Sequence, residues 1–355
     1  MVQNNNYGKS FSISIDSNTD DKYIAEQIQK FNDSRNQVRK QISELDLNGI
    51  LLIDKPAGIT TYDIIREIKH KYYNSIKEGR FSNDSKKLKI GHGGTLDPFA
   101  SGLVIILIGK ATKLFEQTLK HSKTYRVEMV LGLQTDTLDI DGKVTDYDAD
   151  LQSERIIEIL NSKSGVYVCP PINSQDPILA KEILCSKDLS RLENDKCVNN
   201  KEIQEEINSI LKDYIEKKIP DIDTRIIDVS RKYVGEIMQT PPQYSAKKVN
   251  GVRAYDLARK NIQVDLKPSK VQIHSIDKVA RNGAYISLEV TCGSGTYIRS
   301  LVRDIGNDLG CYATCTALRR VRIWQFEIRN ALKYDKIDID NILDYLISVQ
   351  SYSQA

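Results

Sequence analysis

Histidine and tryptophan are scarce here: four His and one Trp in 355 residues. With no ligand spacing between them, four imidazoles indicate no metal site. The six cysteines (Cys169, Cys185, Cys197, Cys292, Cys311, Cys315) form no Cys-x-x-Cys pair. Cys311 and Cys315 have no second pair beside them, so a zinc site is not indicated and reduced intracellular thiols are the simpler reading. No apolar run approaches the roughly eighteen residues that cross a bilayer, so no membrane association is expected. Residues 1–45 are polar, without the apolar core of a secretory signal or the Arg-rich, acid-poor character of a mitochondrial presequence. They read as a flexible tail with one helix near 21–43. The expected location is intracellular, in nucleus or cytoplasm, with the mitochondrion left open.

At 40% hydrophobic and 28% charged, the composition is that of an ordinary globular protein with a sizeable core. The net charge of +3 is small but unevenly spread. Residues 231–330 hold 17 Lys+Arg against 8 Asp+Glu, a net of +9; residues 145–230 hold 11 against 18, a net of −7. Local positive field, more than total charge, attracts phosphates. The C-terminal half therefore suits RNA, and the acidic middle should lie away from it.

The chemistry is concentrated in one turn. Gly91-His92-Gly93-Gly94-Thr95-Leu96-Asp97-Pro98-Phe99-Ala100-Ser101-Gly102 sets one carboxylate, Asp97, among four glycines and a proline. The apolar run Leu103–Ile108 follows, the mark of a strand covered on both faces. A carboxylate on the lip of a buried strand is held where a substrate can reach it. Alone, the segment reads better as a glycine-rich turn with Asp as turn former; the blocks further along the chain overturn that reading.

Around it, Ile50–Ile53 reads as a buried strand turned by Lys55-Pro56-Ala57-Gly58. Thr60-x-x-Asp63 opens a helix as a capping box, with Ile64, Ile65, Ile68 and Tyr72 on one face. Residues 74–89 read as a polar loop. Tyr125–Leu131 alternates as a strand, Asp141-Gly142 signals a hairpin, and Leu151–Leu160 reads as a short helix. In the acidic stretch, Ile203, Ile207, Ile210, Leu211 and Tyr214 repeat at helical spacing within Lys201–Lys218. Leu288–Thr291 is strand, and a helix begins near Arg299 and stops at Gly310. Gly293-Ser294-Gly295 lacks the flanks of a nucleophile elbow, and Gly109-Lys110-Ala111 lacks those of a phosphate loop. Gly91-x-Gly93-Gly94 is no dinucleotide fingerprint, and no cofactor is expected.

Taken with Gly109-Lys110-Ala111-Thr112-Lys113, the Asp97 turn resembles the catalytic block of the TruB family of pseudouridine synthases. Four other blocks agree in order: Gly49–Thr60; Lys123-Thr124-Tyr125 leading to Gly132-Leu133-Gln134-Thr135-Asp136-Thr137-Leu138-Asp139; Pro241–Gly251 before Tyr255 and Ala258-Arg259; and Cys292–Leu301 with Leu318-Arg319-Arg320. The likeness runs from about residue 49 to about 327, interrupted between roughly 169 and 228. Gly93 stands where bacterial members usually carry threonine. The Gly-His-Gly-Gly form looks more like the eukaryotic branch, which modifies uridine 55 in the T-arm of tRNA.

The resemblance implies an α+β pseudouridine synthase fold, with a mixed, mostly antiparallel central sheet and flanking helices. It divides the chain into a tail (1–45), a catalytic domain (46–335) holding an acidic insertion at about 169–228, and a short C-terminal tail (336–355) with no PUA domain. Pseudouridine formation cuts the N1–C1′ bond, turns the uracil and joins C5 to C1′, so it needs a carboxylate at the sugar, a group for the C5 proton and a pocket for a flipped base. By the resemblance Asp97 is catalytic, whether at C1′ or at a sugar proton, Arg299 is its partner, and Tyr125 stacks on the base and handles the C5 proton. Tyr297 and Leu318 pack on the base, and Lys55 supports the Tyr125 region. Gly94 and Thr95 belong to the site, and His92 meets the loop vacated by the uridine. Two basic clusters read as phosphate contacts: Lys247 and Lys248 with Arg253, Arg259 and Lys260, and Arg319 and Arg320 with Arg322. The expected partner is the tRNA T-arm stem-loop, bound by a monomer without guide RNA. A T-arm-like stem-loop in mRNA or rRNA, or a tRNA-folding role with incidental catalysis, are the alternatives.

Overall fold

The protein is described by a computed structural model covering residues 47–79, 87–148, 151, 201–249, 251–260 and 262–349. The readings of a tail over 1–45, a helix near 21–43 and a helix over 152–160 lie outside the described residues. Two compact units share the chain. One comprises 47–72 and 87–355; of the other, 1–46 with 73–86, the described part is Tyr73–Gly79, the end of the helix α1 (Thr61–Lys77) and the turn after it.

The larger unit is organised by β3 (Ser101–Ile108), all eight residues of which are buried. Its neighbours are β1 (Gly49–Lys55), antiparallel, and β12 (Ala313–Ile323), parallel. On one face Leu103, Ile105 and Leu107 pack with Ile50, Leu52, Ile323 and Phe326. Strand alternation turns Val104 and Ile106 to the other face, where they are fully buried as well. Each such side chain contributes on the order of 2 kcal/mol of burial. β2 (Ile90–His92) pairs with β3 and brings the chain to the Asp97 turn.

The sheet continues from β12 through β4 (Lys123–Leu131), β11 (Tyr285–Cys292) and β10 (Ser269–Asn282) to β7 (Gly235–Gln239), each pair antiparallel. With β13 (Phe326–Glu327) and β14 (Leu332–Lys333) it counts ten strands among the described residues. Two small hairpins stand off it: β5 (Leu133–Thr135) with β6 (Val144–Tyr147), and β8 (Lys248–Val249) with β9 (Val252–Arg253). The expected mixed, mostly antiparallel sheet is what the chain forms.

The remaining helices in chain order are α2 (Phe115–Lys120), α3 (Lys201–Lys218), α4 (Ile222–Lys232), α5 (Ala254–Ala258), α6 (Ile298–Leu309) and α7 (Ile339–Tyr345). The capping box at α1 is present: the Thr60 N–H and hydroxyl both donate to Asp63 at 2.7 Å, and the Asp63 N–H returns to the Thr60 hydroxyl. Helical geometry persists to Lys77, so the stretch 74–89 is not loop from its start. Helix α3 buries Ile207, Leu211, Tyr214 and Ile215. Leu211 and Tyr214 close over Gly132, and Asn208 accepts from the Tyr285 hydroxyl at 2.7 Å. Helix α4 follows, tied to β10 by Arg281 and Asp223 at 2.6 Å. These helices belong to the packed core of the unit rather than to an appendage.

Residues 336–349 are likewise part of the fold, where a tail was expected. β14 runs parallel to β1, Asp338 caps α7 by accepting from the Asn341 N–H, and Ile347 exchanges two backbone hydrogen bonds with Ile50. The free edge of β1 is covered by this return, which satisfies its backbone groups.

Candidate active site

The loop that carries Asp97 is held from three sides. The Thr61 hydroxyl accepts from the Leu96 N–H at 3.0 Å and donates to the Leu96 carbonyl. Lys55, fully buried, donates to the carbonyls of Pro56, Ile59 and Pro98 at 2.9, 2.8 and 3.3 Å. Burial lowers the Lys55 amine to about 7, against the pull of the Asp97 charge. From the sheet, Arg320 donates to the carbonyls of Leu103, Thr95 and Gly94 at 2.7, 3.2 and 3.2 Å. Gly102 lets this happen: with φ at 112°, a Cβ there would meet the Arg320 backbone nitrogen at 2.7 Å. Gly93 is close-packed as well, since a Cβ on it would lie 2.7 Å from the hydroxyl of Thr118 and 2.9 Å from its Cβ.

Arg299, in the first turn of α6, faces that loop. Its Nε donates to Asp97 at 2.9 Å, Nη1 to the Thr137 carbonyl at 2.7 Å and Nη2 to the Tyr244 carbonyl at 3.0 Å. Nη1 also meets Asp139 at 3.1 Å. The guanidinium is 5% exposed and Asp139 8%, whereas Asp97 is 36% exposed. Burial opposes charge on Arg299, but Asp97 and Asp139 outweigh it and hold the group above its ordinary value. Burial raises Asp139 from 3.8 to about 6, with Arg299 acting the other way. Asp139 accepts from the Thr137 hydroxyl at 2.7 Å and the Asp141 N–H at 3.0 Å. Its neighbour Leu138 sits at φ 62°, a left-handed setting that costs on the order of 1 kcal/mol and ties the turn to Cys315 by a backbone bond. The network thus fixes one open carboxylate to a buried guanidinium backed by a buried carboxylate.

Tyr125, Val127, Leu318 and Arg320 share one face, because Tyr125 pairs with Arg320 and Val127 with Leu318 across β4 and β12. Burial raises the Tyr125 phenol, and the Arg320 charge acts in the opposite sense. Tyr297 is half-buried beside Arg299, its phenol also raised by burial. His92 is held below its ordinary value by burial and then by the Arg320 charge, and its Nδ1 is buried without a hydrogen-bond partner among the described residues.

Two of the expected phosphate contacts are corrected. Arg320 is 1% exposed and Arg319 7%. β12 is buried at every residue from Ala313 to Arg320, so both of its faces are covered there, and the charge of Arg319 and Arg320 is spent inside. Arg319 donates to Asp54 at 2.9 Å and to Ser101 at 3.2 Å. Lys248 and Arg253, by contrast, are exposed on the β8–β9 hairpin, with Lys247 half-buried before it; none pairs with a carboxylate among the described residues. Arg259 stacks on Tyr255 at 4.3 Å. Lys55 grips the Asp97 loop itself, where support of the Tyr125 region was expected. Asp139, Thr61 and Gln239 were not singled out as site residues; only Asp139 had a visible signal, as the closing aspartate of Thr135-Asp136-Thr137-Leu138-Asp139.

The site sets a single open aspartate against a buried guanidinium on the lip of a mixed sheet, and the comparisons define the class as an enzyme. The family model described as TruB family pseudouridylate synthase (N terminal domain) matches residues 82–182 and 196–298. The chain belongs to that family. Only 183–195 falls between the two matched stretches, a narrower gap than the expected 169–228. The chain is 34% identical over 303 residues to the tRNA pseudouridine synthase B of Clostridium kluyveri, covering 85% of this chain and 76% of that protein. It is 34% identical over 303 residues to the protein of the same name from Endomicrobium trichonymphae, covering 85% and 96%. For Aquifex aeolicus the figures are 30% over 309 residues, 86% and 79%. Among solved structures, a chain from a Cbf5-Nop10-Gar1 complex aligns with a TM-score of 0.45 at 20% identity, over 83% of this chain and 54% of that one. The present chain therefore spans about half the length of that solved relative.

Proposed function

We propose that this protein converts uridine 55 in the T-arm of tRNA to pseudouridine, without a cofactor, as a monomer needing no guide RNA. The observation that carries the reading is the Arg299–Asp97 contact at 2.9 Å with Asp97 36% exposed: the carboxylate is aimed but still open to a substrate. In this reading Asp97 serves C1′ or a neighbouring sugar proton, and Arg299 keeps it oriented. Tyr125, its phenol kept neutral by burial, takes the position for the base and its C5 proton. The partly exposed imidazole of His92 offers its flat face to the RNA.

Two facts support tRNA as the substrate. The bacterial relatives above are named tRNA pseudouridine synthase B, and the β8–β9 hairpin presents the exposed cations Lys248 and Arg253 to phosphates. Position 55 and the eukaryotic branch rest on the motif likeness, above all on Gly91-His92-Gly93-Gly94. The test is direct: incubate the purified chain with a tRNA transcript and map pseudouridine at single-nucleotide resolution. One modification at position 55, formed with no added RNA or protein, is expected; no product, or product elsewhere, would reject the proposal.

A further inference from the structure

Helix α6 begins on a tyrosine. Tyr297 is its N-cap residue, and the side chain makes no hydrogen bond to the helix N–H groups, the service that Ser, Thr, Asp or Asn performs at most such positions. The first turn is fixed from elsewhere. Gln239, the last residue of β7 and 1% exposed, accepts from the Tyr297 N–H at 2.8 Å and donates to the Tyr297 carbonyl at 3.1 Å. One side chain thus bonds both backbone groups of one residue, as a neighbouring strand would, while the carbonyl also accepts the first helical bond from the Leu301 N–H at 3.1 Å. Adjacent Thr240 adds two grips, its carbonyl accepting from the Ser300 hydroxyl at 2.8 Å and from Arg303 at 3.2 Å.

We infer that Gln239 is a positioning residue for the ion pair: it fixes the backbone at Tyr297, and with it the direction from which Arg299 meets Asp97. The inference rests on the function proposed above. Arg299 lies two residues past the clamped carbonyl, and a small rotation of this turn would swing the guanidinium off Asp97. Near relatives of glutamine cannot replace it. Asn is one methylene short, and Met fills the volume with no donor. Ionised Glu has no donor for the Tyr297 carbonyl, whereas neutral Glu has one donor and one acceptor and restores the pair.

Single-turnover pseudouridine formation on a tRNA transcript tests this in the full chain, with affinity from filter binding and folding from circular dichroism. Gln239→Met is expected to lower the chemical rate by about 10²-fold, the scale of a misaimed catalytic group, while tRNA affinity stays within a few-fold. Gln239→Glu is expected to be impaired at neutral pH and to recover relative to wild type as pH falls and the buried carboxyl takes up its proton. A residue that only stabilises the fold would show no such recovery. An unchanged rate in Gln239→Met, or a pH-independent deficit in a folded Gln239→Glu, overturns the role. If the wild type makes no pseudouridine, the proposed function fails instead, and the Arg299 Nε–H resonance then decides. Identified by its loss in Arg299→Lys, that signal should shift or broaden in Gln239→Met; an unmoved signal rejects the role.

Discussion

Arg299 joins two aspartates through different nitrogens, Nε to Asp97 at 2.9 Å and Nη1 to Asp139 at 3.1 Å. The two acids are not equivalent. Asp139 is sealed and anchors the guanidinium, while Asp97 stays open on the loop between β2 and β3. Asp97→Asn keeps the shape and removes the charge. Turnover should fall by about 10³-fold or more, the scale of a positioned acid, base or nucleophile, with tRNA affinity within a few-fold. Product formed at near wild-type rate would remove Asp97 from the chemistry.

The grip of Arg299 on Asp97, Thr137 and Tyr244 uses three nitrogens at fixed angles. Lysine offers a point charge on a flexible stem and cannot hold that geometry. For Arg299→Lys we expect a loss of about 10²-fold in single-turnover rate, larger than any change in affinity. Retention of the wild-type rate would show that charge alone suffices.

Asp139 sets a pH dependence whose sign follows from its raised value. Its carboxyl titrates near 6 in the fold and at 3.8 ordinarily, so the folded chain holds this proton more tightly than the unfolded one. Its contribution to stability therefore falls as pH rises across that window. Asp139→Asn should flatten this part of the stability profile, read from urea unfolding between about pH 4 and 6.5. Turnover of the wild type should decline on the acid side as the anchor of Arg299 loses its charge. Parallel stability slopes for the two proteins would mean that Asp139 is ionised throughout.

The two basic clusters should separate cleanly under salt. Neutralising Lys247 and Lys248 together is expected to lower the slope of log affinity against log salt by about 1.5, close to one counterion per lost phosphate contact. Arg320→Met should leave that slope alone and act on the fold and the Asp97 loop, since the arginine holds Leu103, Thr95 and Gly94 from inside. A salt slope unchanged in the lysine double variant, measured by filter binding, would put the hairpin off the interface.

What the sequence made legible was local and periodic. The unbroken apolar run of β3, the capping box at Thr60 and the stop of α6 at Gly310 are each written within a few residues, and the structure follows them. Burial of Arg319 and Arg320 could not be read that way. Three basic residues within four positions of β12 look like a surface patch until both faces of the strand are known to be covered as far as Arg320. The same limit hid Thr61 and Gln239. Each clamps a backbone far away in sequence, 35 residues for Thr61 to Leu96 and 58 for Gln239 to Tyr297. The C-terminal return over 336–349 was missed because its short segments form only against β1.

Glycine at position 93 has a counterpart at 118. The volume that a side chain on the loop would take is already occupied by Thr118, reached from α2. A threonine at 93 would therefore require a smaller residue at 118 or a displaced α2. The two positions form one lock with its key cut on the other side. The motif is thus not a portable cassette: grafted without Thr118 on α2, the same dozen residues would leave a void beside Gly93 and lose one wall of the loop that carries Asp97.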